Sequence, residues 1–276
     1  MKVIKVAVAG ALGRMGSSII RTVAEQKDMQ LVAAVEAAGA SNSGKDVGEL
    51  LGLGHLGVEV TTGDNLDSTL KEAGPDVLVD FTVADAAVNT AGTASKNGVN
   101  LVVGTTGFDS SQLKEVEDLV KDNGISAVVS PNMATGVNIF FKAVKDVAGI
   151  LGRDCDIEVI EAHHRHKKDV PSGTALRAGE LVAKATGKSL DKDGMFGRGR
   201  GVIGERGSEI GFHAIRGGDI IGEHTVLFAG DGERLEITHR AHSRQAFVNG
   251  TIKAIRFVYE NRGTGKVYST FDVLRI

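Results

Sequence analysis

The sequence predicts an α/β protein in two parts, a doubly wound parallel-sheet domain and an α+β domain with an open mixed sheet. Three observations carry that prediction. Short β-branched runs alternate with helix-period segments as far as Pro131, the pattern of a parallel sheet with right-handed crossovers. A glycine-rich turn, Gly10-Ala11-Leu12-Gly13-Arg14-Met15-Gly16, joins the first run to the first helix. Beyond Pro131 the alternation stops, and three strand-like runs follow one another without helices between them.

Ile4 to Ala9 reads as a buried strand, short, continuous and β-branched. It ends on Gly10 before a helix from about Arg14 to Gln26 with apolar Ile19, Ile20 and Val23. Leu31 to Val35 makes a second strand. The series continues with strands at Asp76 to Phe81, Leu101 to Val103 and Ile125 to Val129, and helices at Ala84 to Asn97 and Ser110 to Asp122. A long helix from about Ala134 to Leu151 then leads into a strand from Ile157 to Glu161 and, after a basic stretch, a helix from Gly173 to Ala185. The three consecutive strand-like runs are Glu209 to Ile215, His224 to Phe228 and Arg234 to Thr238. In the last, Leu235 and Ile237 alternate with polar residues, as in a half-exposed antiparallel strand. A helix from about Arg244 to Tyr259 and a terminal strand from Phe271 to Leu274 are expected to return to the first domain. The expected division is 1–132 with 244–276, and 133–243. Lys188 to Gly207 is a glycine- and charge-rich loop without periodicity, of a length typical of lids or disordered segments.

Composition narrows the function classes. A chain of 276 residues can bury a real core in two domains, and its single cysteine, Cys155, excludes an internal disulfide framework. No apolar stretch is long enough for a membrane span, and glycines and Arg14 interrupt the N-terminal apolar run, so a protein of the reducing cytoplasm is expected. With 32 basic and 35 acidic residues there is no basic surplus to bind nucleic acid. Thirty-seven glycines and no tryptophan point to tight turns near a small ligand.

The glycine turn follows a strand and opens a helix, the context of a Rossmann-like dinucleotide site, where N–H groups and the helix dipole stabilise a pyrophosphate. Its spacing is G-x-x-G-x-x-G, with Leu12 in the middle-glycine slot of the usual pattern. Glu36, 20 residues beyond Gly16, ends the second strand, where an acid accepts hydrogen bonds from ribose hydroxyls. Ala37 follows it, with no cation beside Glu36 for a 2′-phosphate, so NADH is expected to be preferred; Arg14 leaves NADPH open. Gly104-Thr105-Thr106-Gly107 and Ser130-Pro131-Asn132-Met133 follow later strands, as nicotinamide-lining turns or as plain surface turns.

The stretch Glu161 to Ala175, EAHHRHKKDVPSGTA, concentrates three histidines and three cations. On an extended chain His164 and His166 would share one side and His163 the other, and Arg165, Lys167 and Lys168 would repel a metal. An anion site fits better: Ser172 is a natural N-cap, and Gly173 allows close approach to the helix start. Acid–base work fits too, and a solvated basic loop stays open on these physical grounds.

Together these motifs, with Arg216-Gly217-Gly218-Asp219, Gly222-Glu223-His224-Thr225 and Glu233 to His239, resemble the dihydrodipicolinate reductase family across both domains in order. The His-His-Arg-His-Lys block with Pro-Ser-Gly-Thr behind it is the specific part. The resemblance implies an NAD(P)H-dependent reductase of a cyclic unsaturated dicarboxylate on the diaminopimelate and lysine route. It implies His163 as proton donor or acceptor and Lys167 as proton donor. His164 and the backbone of Gly173 and Thr174 would bind a substrate carboxylate. Cofactor positions map onto Gly10, Ala11, Leu12, Gly13, Arg14, Met15, Glu36, Gly104, Thr105, Thr106, Ser130, Pro131, Asn132 and Met133. No metal is implied, and a homotetramer assembled through the second domain's sheet is. Family members using both cofactors often carry arginine where Ala37 stands. Ser130 to Met133 and Val170 replace commoner neighbours without removing a reactive group. Closure between the domains is expected to bring cofactor and substrate together, with the Lys188 to Gly207 loop taking part. Another nicotinamide-dependent reductase on this scaffold and a non-catalytic NADH sensor are the alternatives.

Overall fold

The computed structural model describes residues 2–202 and 204–276. They divide into two units, one running to Thr135 and resuming over Phe247–Arg275, the other Gly136–Ala246.

In chain order the first unit opens with β1 (Ile4–Ala9), α1 (Arg14–Glu25), β2 (Met29–Glu36), α2 (Val47–Leu50), β3 (Val60–Thr62) and α3 (Leu66–Ala73). It continues with β4 (Val77–Asp80), α4 (Ala84–Lys96), β5 (Asn100–Val103), α5 (Ser110–Asp122) and β6 (Ala127–Val129). Then come α6 (Thr135–Leu151), β7 (Asp156–His163), α7 (Gly173–Thr186), α8 (Leu190–Asp193) and β8 (Gly194–Phe196). The chain ends with β9 (Ile210–Arg216), β10 (Gly222–Gly230), β11 (Glu233–Ala241), α9 (Gln245–Glu260), β12 (Val267–Tyr268) and α10 (Thr270–Leu274).

The first sheet has the order β12-β6-β5-β4-β1-β2-β3, all pairs parallel, so both architectural predictions for this unit hold. Its central strands are dry on both faces: Val6, Val8, Leu78 and Val79 are fully buried. One face packs on Ile19, Ile20 and Val23 of α1 and on Ile252, Ile255 and Val258 of α9; the other packs on Leu70 of α3, the alanines of α4 and Val116 and Val120 of α5. Each such aliphatic side chain contributes about 1.5–3 kcal/mol of burial. From β1 the chain runs outward to β3 and then returns to build β4 to β6 on the other side, so the order reverses between β1 and β4. Doubly wound sheets bind ligands in the crevice at the carboxyl ends of such a pair.

The second sheet is mixed, in the order β11-β10-β7-β9-β8, with β10 antiparallel to β7 and β11 and the remaining pairs parallel. Strict alternation along β7 buries Ile157, Val159, Glu161 and His163 on one face. α7 covers that face with small residues, and Gly179 lies so close that a Cβ there would meet the Phe212 ring at 2.2 Å.

Four expectations change. The terminal strand is β12, and Phe271 to Leu274 is helical, because Ser269 and Asp272 form a capping box at the start of α10. Residues 37–75 hold α2, β3 and α3, which short polar segments concealed. There Asp46 caps α2 and accepts from the N–H groups of Glu49, Leu56 and Val58, which overcome burial and hold its carboxyl at about 2. The Lys188 to Gly207 segment is structured in part, containing α8 and β8, and is tied down: Arg198 and Arg206 both bond the Glu158 carboxylate. Finally, the chain stays extended only to His163 and then turns, with Lys167 N donating to His164 O. His164 and His166 lie near each other as the alternation implied, rings 6.2 Å apart, but on a turn.

Candidate functional site

In the first unit, Gly10 has φ +70°, and a Cβ there would meet the carbonyl oxygen of Phe81 at 3.1 Å, so glycine is required where β1 and β4 adjoin. A Cβ on Gly16 would sit 2.0 Å from Gly10 O, which fixes how tightly α1 starts against the turn. Gly13 is the N-cap of α1 and offers no side-chain cap, so the positive end of the helix is presented without one. Leu12 explains the irregular spacing. Its N–H donates to Glu36 Oε1 at 2.5 Å while its side chain, with that of Met15, packs on the core. Glu36 is thereby held against the turn with its second oxygen uncommitted to that bond. This arrangement fits a dinucleotide, pyrophosphate at the start of α1 and ribose at Glu36.

The later turns emerge from the same edge of the sheet. Gly104 has no room for a side chain, since a Cβ would strike the Phe81 ring at 2.1 Å. Thr105 is buried and serves the turn itself: its hydroxyl donates to Asp80 Oδ1 at 2.7 Å and accepts from Thr82 N at 2.8 Å. Thr106 is exposed. Asp80 Oδ2 is buried without a partner among the described residues. Ser130 donates to Asn132 O, and Met133 is core, its carbonyl so near Gly250 that a Cβ there would approach to 1.6 Å. Within these two sets Thr106 and Pro131 face solvent, whereas Thr105 and Met133 hold the turns in place.

In the second unit, β7 carries Glu161 and His163 on its buried face, 1% and 7% exposed. His163 Nδ1 lies 2.5 Å from Glu161 Oε2, and Arg216 at the end of β9 donates to both Glu161 oxygens at 2.7 Å. Ser172 N adds a bond to Glu161 Oε1 at 3.1 Å. Burial works to raise the Glu161 pKa, but Arg216, His163 and Ser172 N–H prevail and hold it below the ordinary carboxylate range. Burial lowers His163 below the usual imidazole value against the pull of Glu161, with Lys167 and Arg216 adding to the depression. His224, on β10, stands edge-on to His163 with ring centroids 5.1 Å apart and is pushed down to about 3, chiefly by burial and then by the field of His163.

Past the turn, Lys167 Nζ pairs with Asp169 Oδ2 at 2.9 Å and remains partly accessible. Ser172 caps α7 by accepting from Ala175 N, and its hydroxyl also lies 3.0 Å from His224 Nε2. Gly173 is exposed, and a Cβ there would meet nothing within 4 Å, so space over the helix start is open to an anion. His164 Nδ1 is buried with no partner among the described residues. The structure thus brings His163, Lys167 and the start of α7 into one unit, linked by Glu161, Arg216, Asp169 and His224, which sequence reading left without roles. Glu161 had a signal: two positions before His163 on a strand, it must share its face.

Sequence comparison decides the family. The family model described as dihydrodipicolinate reductase, N-terminus, matches residues 4–133, and that described as dihydrodipicolinate reductase, C-terminus, matches 136–274. The chain belongs to the dihydrodipicolinate reductase family. A protein of Methanothermobacter thermautotrophicus named 4-hydroxy-tetrahydrodipicolinate reductase is 58% identical over 99% of both chains. One of the same name from Methanocaldococcus jannaschii is 57% identical, over 98% of this chain and 97% of that one. A dipicolinate-bound dihydrodipicolinate reductase from Paenisporosarcina sp. TG-14 superposes with a TM-score of 0.77 at 27% identity, covering 98% of each chain. An amine dehydrogenase from Mycobacterium smegmatis, 16% identical with a TM-score of 0.61 over 96% of this chain and 94% of that one, shares the fold alone. Like the rest of the dihydrodipicolinate reductase family, the chain is an oxidoreductase with a nucleotide-binding first domain. The family's C-terminal model takes in α9, which the structure assigns to the first unit.

Proposed function

We propose that the protein reduces 4-hydroxy-tetrahydrodipicolinate, by way of dihydrodipicolinate, to tetrahydrodipicolinate on the diaminopimelate route to lysine. The observation that carries this reading is the buried Glu161–His163 pair set beside Lys167 and the open start of α7, in a chain of this family. NADH, when bound, supplies a hydride to C4 of the ring. The chain's own residues do the rest. The start of α7 at Gly173 and Thr174, with His164, holds a ring carboxylate through the helix dipole and polar donors. Lys167 delivers the proton to C3, and His163, whose pKa burial lowers, positions it or relays a proton taken up at its free ring nitrogen. In the first unit Gly10 to Met15 cradle the pyrophosphate, and Glu36 takes the ribose hydroxyls. Gly104, Thr105 and Thr106 with Ser130 to Met133 shape the nicotinamide end. A carboxylate at Glu36 followed by neutral Ala37 repels a 2′-phosphate, which supports a preference for NADH over NADPH.

The compartment proposed is the cytoplasm, and the active form a homotetramer. The sheet face opposite α7 supports the second point. Register places Ile160 and Ala162 of β7, Ile215 of β9 and Leu227 of β10 on that face, none of them fully buried and Ile215 52% exposed. Among the described residues no helix is long and apolar enough to cross a membrane.

The test is NADH or NADPH oxidation, followed by absorbance, on the freshly formed condensation product of aspartate semialdehyde and pyruvate. Turnover faster with NADH is expected. His163→Ala or Lys167→Ala should cut it by roughly 10²- to 10⁴-fold with NADH binding intact. No oxidation by the unmodified protein would favour the sensor reading, and full activity of both variants would remove the assigned roles.

A further inference from the structure

Glu161 and Arg216 perform no step in that reaction, yet both Glu161 oxygens and both terminal nitrogens of Arg216 are bonded. Arg216 donates to Glu161 Oε1 and Oε2, to Asp169 O and to Ile215 O, each at 2.7 Å. Its neighbours grip the main chain on either side of the turn: Gly217 N donates to His163 O at 3.0 Å, and Arg165 N donates to Gly218 O at 3.2 Å. We propose that Arg216 is a positioning residue for both proton carriers, acting on His163 through Glu161 and on Lys167 through Asp169.

The His163 half of the argument is a matter of donors and acceptors. A carboxylate clamped by a guanidinium and a backbone N–H stays ionised and can only accept. Its 2.5 Å contact with His163 Nδ1 therefore requires the hydrogen on Nδ1. That leaves Nε2, the nitrogen facing Gly222, as the one that exchanges a proton; a Cβ at Gly222 would crowd it at 3.1 Å. The Lys167 half is a matter of reach. Asp169 pairs with Lys167 through its carboxylate while its own carbonyl is held by Arg216, so one guanidinium fixes the counter-ion of one carrier and the ring of the other. Lysine carries its donors on a single nitrogen and lacks the planar fork whose two nitrogens here bond the two Glu161 oxygens side by side while one also holds the Asp169 carbonyl. The charged and titratable groups around His163 are Glu161 on its own strand, Lys167 and Asp169 beyond the turn, Arg216 on β9 and His224 on β10.

The inference rests on His163 and Lys167 being the proton carriers, and the experiment separates the two claims. Histidine ring nitrogens of the full-length protein, labelled with nitrogen-15, are read by long-range proton–nitrogen correlation, with His163→Gln to assign the signal. The unmodified protein is expected to show His163 as the Nδ1–H tautomer. Arg216→Lys should mix the tautomers and lower kcat by about 10²-fold with KM for NADH unchanged. Arg216→Met should do at least as much, and melting temperatures show that the variants are folded. An Nε2–H His163 in the unmodified protein overturns the proposal without needing any variant. So does Arg216→Lys with unaltered tautomer and kcat. Unaltered kcat in both His163→Gln and Lys167→Ala is a different failure, removing the carrier assignment itself while leaving the tautomer result standing.

Discussion

His224 shows how a single buried imidazole ties stability to pH. It is 5% exposed, its Nε2 meets Ser172 Oγ, and its Nδ1 has no partner among the described residues, so a charged ring would be stranded. The folded pKa of about 3 lies below the ordinary value of about 6.5. As pH falls through about 6.5 the unfolded chain takes up the proton and the folded chain does not, so stability is complete above that point and drains away towards pH 3. The slope is at most about 1.4 kcal/mol per pH unit. Glu161 acts in the same direction lower down, since its depressed folded pKa contributes stability that is lost as pH drops below the ordinary carboxylate range. Melting temperature measured stepwise from neutral pH to about pH 4 should therefore fall, and His224→Gln should flatten the upper part of the curve. An identical slope in the variant would refute the account. The motif singles out His163 and Lys167 as candidates, whereas the contact of Arg216 with Glu161 has no local signal: it spans 55 positions of sequence, and only the pairing of β7 with β9 brings them together.

Among the elements, α7 carries two glycines of opposite character. Gly179 faces the Phe212 ring at a distance that excludes a Cβ, whereas Gly173 faces open space. Gly179→Ala must displace the ring and should cost about 1–3 kcal/mol of stability. Gly173→Ala should leave the melting temperature nearly unchanged yet raise KM for the dicarboxylate, because the methyl occupies the approach to the helix start. Equal effects of the two substitutions on both measurements would contradict this division. The helix itself was readable in advance from Pro171-Ser172-Gly173, since the cap chemistry is local. β3 and β12 are too short to show a period, and in α10 Phe271, Val273 and Leu274 mimic a strand. Its capping pair, Ser269 and Asp272, was the overlooked signal.

At the scale of the whole molecule, what could be read was alternation. A parallel sheet announces itself through continuous apolar strands between helices, and a half-covered sheet through period-2 patterning, so both architectures were visible. The covered face of the second sheet is accounted for by α7 and its neighbours. On the opposite face Arg198 and Arg206 meet Glu158, while Ile160, Ala162, Ile215 and Leu227 lie there without full burial, beside His213, Thr225 and Glu223. Partly exposed apolar side chains set among polar ones are the usual make-up of an association face. Self-association through it into a homotetramer predicts a light-scattering mass about four times the 28.8 kDa of one chain. Ile215→Arg places a charge in that face at a side chain already 52% exposed, so a dissociated chain should tolerate it. The variant is expected to fall to a lower mass at the same concentration while keeping its far-ultraviolet circular dichroism. A single-chain mass for the unmodified protein would refute the assembly, and an unaltered tetramer in Ile215→Arg would move the interface elsewhere.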